Sequence, residues 1–100
     1  MSGQKSVELI LAQRGGTHGA FSEQFRLSQE LKRVLASGPR YGQLTPAMRE
    51  AAEMVLMKLS RAVCGDPFHE DHWADIAGYA TLISQSLRRD ASWRQPEIDP

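Results

Sequence analysis

The chain has 100 residues, of which 41% are hydrophobic and 7% aromatic, a content that predicts one small domain with a modest core. Twelve basic and twelve acidic residues cancel to a net charge of zero, so the charge balance does not favour binding to duplex DNA. The single cysteine, Cys64, excludes an internal disulfide and a cysteine zinc site, and it fits a reducing compartment.

The chain begins with a short predicted helix at residues 6–13, which ends at paired glycines. The glycine-rich loop 14–19 comes next and leads into a longer helix. The backbone N–H groups of this loop, together with the side chains of Arg14 and His18, would suit an anion such as a phosphate. The alternative is that the loop is only a flexible connector.

The hydrophobic runs of the chain are short. None approaches the roughly 20 apolar residues that cross a membrane. The first residues lead into a brief apolar run with no cleavage-like site, so we expect no signal peptide. We therefore expect a soluble cytoplasmic protein with no membrane partner.

Three longer helices are predicted, at residues 20–36, 45–64 and 69–89. Thr45 is the expected N-cap of the second, with proline at the first helical position. Because so few residues join the last two helices, these should form a central antiparallel hairpin. No segment alternates with a period of two, so the fold class is all-α, a small helical bundle. The domain is predicted to span residues 1–89, followed by a poorly ordered tail, 90–100.

Apolar stripes predict which faces of the helices are buried. The six residues expected in the core are Leu31, Val55, Leu59, Ile76, Ala80 and Ile83. The helix 69–89 should bury the stripe of Trp73, Ile76, Ala80, Ile83 and Leu87, while the helix 45–64 should bury Met48, Ala52, Val55, Leu59, Ala62 and Val63. The opposite faces carry Asp71, Asp75, Gly78 and Leu82 on one helix, and Met54 and Met57 on the other. Apolar residues on both faces indicate a homo-oligomer, a dimer built from helices.

Two acidic pairs could carry chemistry. Glu50 and Glu53 are spaced i, i+3 on one helix, and Asp71 and Asp75 are spaced i, i+4 on the next. If the hairpin makes them neighbours, four carboxylates would suit magnesium, which could activate water for phosphoanhydride cleavage. The phosphates would then be held by Arg14, His18, Lys58 and Arg61. The alternative is that the acids are ordinary surface residues, with Asp75 paired to a cation such as Lys58 or Arg61.

Other reactive side chains form no comparable pattern. His69 and His72 are spaced i, i+3, which lacks the ligand number and spacing of a zinc site, so we expect no zinc. His69 is expected to cap the helix start, and His72 to lie at the surface or to bond a neighbouring acid. Cys64 is expected to be packed, and nothing indicates an organic cofactor.

Several short motifs resemble a family of small all-α proteins of uncharacterised function encoded in phages and prophages. The likeness covers roughly residues 7–87. Its elements are Arg14…His18-Gly19-x-Phe21, Leu31-Lys32, Lys58-Leu59-Ser60-Arg61 and His69-x-Asp71-x-Trp73-x-Asp75-Ile76-Ala77-Gly78-Tyr79-Ala80. The last run is the most specific. Members often have tyrosine before the glycine of the first loop, where this chain has His18.

The acidic pairs are more loosely similar to those of MazG-like all-α nucleotide pyrophosphohydrolases. That resemblance implies a Glu-x-x-Glu helix followed by a Glu-x-x-Asp helix, with magnesium bound between them in a dimer or tetramer. Glu50 and Glu53 match the first motif. In the second motif Asp75 matches the aspartate but His72 stands where glutamate is expected, although Asp71 lies one residue earlier.

Two functional hypotheses follow. The first is a magnesium-dependent nucleoside triphosphate pyrophosphohydrolase. The alternative is a non-catalytic, oligomeric helical module that binds protein through a surface of Met54, Met57, Gly78 and Leu82. The arrangement of the four carboxylates in the folded chain discriminates between them.

Overall fold

The structure, a computed structural model, describes residues 21–90 as three helices. They are α1 (Phe21–Ala36), α2 (Pro46–Cys64) and α3 (Glu70–Arg89), with a 3₁₀ turn at Tyr41–Gln43 between α1 and α2. No strand occurs within this described part, and the predicted all-α class is confirmed. The predicted helix 6–13, the loop 14–19 and residues 91–100 of the tail lie outside the described residues.

Local signals at both ends of α2 fix where it begins and ends. The Thr45 hydroxyl accepts a hydrogen bond from the backbone N–H of Met48 at 3.1 Å, and Pro46 occupies the first helical position. Both devices were expected from the sequence, because the first N–H groups of a helix lack partners within it. At the other end the N–H of Gly65 bonds to the carbonyl of Arg61 at 3.0 Å.

The link between α2 and α3 is a short, internally bonded turn. The Asp66 carboxylate accepts from the N–H of Phe68 at 2.9 Å, and the Trp73 indole N–H donates to the Pro67 carbonyl at 2.8 Å. These bonds tie the linker to the first turn of α3. The chain therefore reverses at once, and the predicted antiparallel hairpin of α2 and α3 is found.

Helix α2 is the central element, because it packs against both α1 and α3. Every residue from 51 to 62 is buried or half-buried. One core stripe was predicted for α2, but the helix packs through two faces. Met54 and Met57 are accordingly half-buried rather than set on an outward surface, while Val63, expected in the core, is 67% exposed.

The buried face of α3 differs from the predicted one. It consists of His72, Ile76, Tyr79, Ile83 and Ser86. Trp73 is 49% exposed, and Ala80 and Leu87 are exposed as well, so their placement in the core was wrong. The prediction counted only apolar residues, whereas the helix turns a histidine and a tyrosine inward and uses the indole of Trp73 to bond the linker. Five of the six expected core residues, all but Ala80, are half-buried.

The most deeply buried side chains of residues 21–90 are small or polar. Ala62 is the one apolar residue that is fully buried there, alongside Gln24, Ser28, Ser60 and His72. The Ser60 hydroxyl donates to the Leu56 carbonyl at 2.9 Å, which satisfies it within its own helix. Small side chains on α1 and α2 allow the helix backbones to approach closely.

The N-cap of α2 should be measurable as stability. Thr45→Ala removes the acceptor for the Met48 N–H and should lower the free energy of unfolding by about 1 kcal/mol. Urea unfolding followed by circular dichroism measures this difference. Thr45→Ser, which keeps the hydroxyl, is the matched control, and an equal loss in both variants would contradict the assigned cap.

Candidate functional site

An ion pair between α2 and α3 is the best-defined polar contact across the hairpin. Lys58 Nζ lies 2.8 Å from Asp75 Oδ2, and the two side chains are 14% and 49% exposed. The hydrogen bond from Lys58, followed by its charge, lowers the pKa of Asp75 below the ordinary value of 3.8. Asp75 therefore pairs with one of the two cations that the sequence placed within its reach.

The register set by this pair separates the predicted metal ligands. With Lys58 opposite Asp75, antiparallel packing puts Asp71 at the height of Ala62. At a rise of 1.5 Å per residue, Glu50 then lies about 18 Å along α2 from that height, and Glu53 about 7.5 Å from the height of Asp75. The hairpin therefore does not bring the two acidic pairs to one level.

The individual acids and cations have different surroundings. Glu50 and Asp71 are exposed, Glu53 and Arg61 are half-buried, and the Asp71 carboxylate lies 3.6 Å from His69 Nε2. Within residues 21–90, no three His, Cys, Asp or Glu side chains are grouped closely enough to hold a metal ion. Arg14 and His18, the other expected phosphate ligands, lie outside the described residues. Magnesium and nucleotide binding stay predictions.

The two histidines meet at the start of α3. His69 is the N-cap residue, as expected, although its side chain makes no capping hydrogen bond. Its ring lies 5.0 Å from that of His72 in an edge-to-face arrangement. His72 is only 2% exposed, so the expected surface position was wrong, and the alternative of a bond to a neighbouring acid stays a prediction. His72 lies four residues before Ile76 on the buried face, a position that polarity alone did not reveal.

One side of α3, next to the face that is buried against α2, carries an open exposed surface. We call its exposed residues the outer stripe: Asp71, Asp75, Gly78, Leu82, Gln85 and Arg89. At its centre is a shallow depression of about 430 Å³, lined by Ala74, Asp75, Gly78, Tyr79 and Leu82. Leu82 is 60% exposed, and a Cβ added at Gly78 would meet nothing within 4 Å. Packing inside the described domain therefore requires neither the leucine nor the glycine.

The chain matches a protein-family model over most of its length. Residues 4–87 match a family model described as Domain of unknown function (DUF6378). No curated protein and no solved structure matches the chain. None of the helices in the described part is long and apolar enough to cross a membrane.

The lowered pKa of Asp75 predicts a pH dependence of stability. A carboxyl whose folded-state pKa is depressed stabilises the fold above its unfolded pKa, and this contribution is lost as pH falls through the folded pKa. Asp75→Asn should therefore lose less stability than the wild type between neutral pH and about pH 3. Urea unfolding at both pH values measures this.

Glu30, a carboxyl whose pKa is likewise lowered, by its hydrogen bond with Arg33, supplies the control. Glu30→Gln removes a carboxyl of α1 and leaves the bond between Lys58 and Asp75 intact. An Asp75→Asn profile parallel to the wild-type profile would contradict a native-state pairing of Asp75.

Burial predicts that the two neighbouring histidines differ in importance. His72→Ala should lower the free energy of unfolding by about 1–3 kcal/mol, because it leaves a hole and unpaired polar groups inside the bundle. His69→Ala, at a half-buried site, should cost less. Denaturant unfolding of both variants checks the ranking, and a larger loss at His69 would contradict it.

Proposed function

The chain belongs to the family described as Domain of unknown function (DUF6378), and we propose that it is a non-catalytic helical module that binds protein through the outer stripe of α3. The observation that carries this proposal is the centre of that stripe. A largely exposed leucine stands beside a glycine whose missing side chain leaves open space.

Both residues are costly for an isolated domain. An exposed leucine leaves apolar surface in water, and a glycine inside a helix is about 1 kcal/mol less favourable than alanine. Together they form a knob and a gap on one face, a pairing that suits a closely packed helix of another molecule. The proposed interaction surface therefore differs from the predicted one. Gly78 and Leu82 belong to the outer stripe, whereas Met54 and Met57 are half-buried on α2.

The competing function is a magnesium-dependent nucleotide pyrophosphohydrolase of the MazG-like type. It needs several carboxylates around one metal–phosphate centre. Asp75 is instead bonded to Lys58. A predicted metal ligand and a predicted phosphate ligand are therefore paired with each other. The height difference between Glu50 and Asp71 also argues for the module. Magnesium is required only by the hydrolase, and our proposal includes no metal and no organic cofactor.

The remaining parts of the proposal concern the setting of the protein. A lone cysteine fits the reducing cytoplasm, which we propose as its compartment. The likeness of the Asp71–Ala80 run to phage and prophage proteins supports a phage-type origin.

Nucleotide turnover tests the choice between module and enzyme. The full chain is incubated with magnesium and each common nucleoside triphosphate, and release of pyrophosphate and phosphate is measured. We expect no release above a protein-free control. Turnover that is lost in Asp75→Asn and in Glu53→Gln, but kept in Glu23→Gln on α1, would overturn the module and establish the hydrolase.

A further inference from the structure

We propose that the molecule bound by the outer stripe is a second copy of this chain, with the two α3 helices packed antiparallel about a twofold axis. The proposal rests on the proposed function, since it takes the outer stripe as the binding face, and it names the partner. The argument comes from the spacing, the charges and the shape of that stripe.

The outer stripe has the spacing of a helix–helix seam. Its residues are separated by four, three, four, three and four positions along α3, so they form one nearly straight line on the helix surface. All six are exposed. A second helix can therefore contact the line over about five turns of α3.

The line is complementary to itself when it is reversed. If the twofold axis passes at the height of residue 80, Asp71 of one copy meets Arg89 of the second copy. In the same register Asp75 meets Gln85, and Gly78 meets Leu82. Since the axis applies each pairing twice, all six positions are paired. No residue faces the same residue of the second copy.

Charge selects the antiparallel arrangement. The first turn of α3 carries Glu70 and Asp71, and its last turn carries Arg88 and Arg89. A parallel pair of helices would place acid on acid and base on base, whereas the antiparallel pair places each acidic end on a basic end. Opposed helix dipoles favour the same direction. Asp71 is 77% exposed and keeps its contact with His69 at 3.6 Å, which leaves its outer side accessible to an arginine.

Shape fixes the register at the centre. Nothing lies within 4 Å of the position of a Cβ on Gly78, and the depression beside it is walled by Ala74 and Tyr79. The Leu82 side chain of the second copy fits over this glycine, and the reciprocal contact forms across the axis. Asp75, already bonded to Lys58 at 2.8 Å, gains a second donor from the Gln85 amide of the second copy.

The composition of the core also favours association. Among residues 21–90, Ala62 is the one apolar residue that is fully buried, and larger apolar side chains stay half-buried or exposed. A domain of this size buries a modest fraction of its surface alone. A helix pair that covers both copies of Leu82 adds buried apolar surface at a side chain that is 60% exposed in the described part of one copy.

Molar mass and one pair of substitutions test the proposal. Light scattering of the full chain at tens of micromolar should give twice the 11.2 kDa of one copy. Gly78→Arg should give one copy with unchanged helical circular dichroism, because a Cβ at this exposed position meets nothing within 4 Å inside the domain. Ala77→Arg, exposed on the same helix but off the outer stripe, should remain a dimer with its dissociation constant changed less than about threefold.

A charge-reversal cycle tests direction and register. Asp71→Arg and Arg89→Asp should each weaken dimerisation by about tenfold or more, and the double variant should return to within about threefold of the wild type. In the matched control, Asp71→Arg is combined with Arg88→Asp, which is off the outer stripe, and no recovery is expected. Sedimentation equilibrium measures the dissociation constants of the wild type and of these four variants.

The contrary outcomes are distinct. A wild type that is one copy at tens of micromolar, a dimer that tolerates Gly78→Arg, or a double variant without recovery would each overturn the antiparallel dimer. A single copy without nucleotide turnover overturns only this inference, and the proposed module remains. Turnover that depends on Asp75 and Glu53 overturns the proposed function whatever the molar mass.

Discussion

The register between α2 and α3 is the constraint on which the rest of the described structure depends. The bonded turn of Asp66 and Pro67 reverses the chain within a few residues, and the contact of Lys58 with Asp75 fixes the height at which the two helices meet. A slide by one turn would break that ion pair and displace His72 from its buried position. The same register leaves the outer stripe exposed beside the contact with α2, so the accessible surface follows from the way the hairpin closes.

The interior of the bundle is held by small and polar side chains more than by large apolar ones. Gln24, Ser28, Ser60 and His72 are all buried, and Ser60 satisfies its hydroxyl on the Leu56 carbonyl. Such groups are costly when unpaired and therefore favour one arrangement of the helices over its alternatives. A central helix in contact with two neighbours suits this composition, since its small residues allow close approach from either side.

The sequence was most informative where a signal acts locally. The threonine–proline start of α2 and the turn after Cys64 predicted the helix bounds to within one residue of those found. Faces were harder to predict, because burial depends on neighbours that are distant in the chain. Hydrophobicity predicted that Trp73 and Ala80 are buried, but in the folded chain His72 and Tyr79 lie on the buried face instead. Spacing correctly grouped Asp71, Asp75, Gly78 and Leu82 on one side of the helix, yet it could not decide between a metal site at Asp75 and the ion pair with Lys58 that is found.

The bare backbone at Gly78 has a consequence for attempts to improve this protein. Alanine fits there without touching any neighbour, and it should make the helix more favourable by about 1 kcal/mol. Selection for heat resistance of the single chain would therefore replace this glycine early. The glycine therefore lowers the stability of one subunit but keeps its outer stripe open for binding. In any engineered version, thermal stability and binding need to be measured separately.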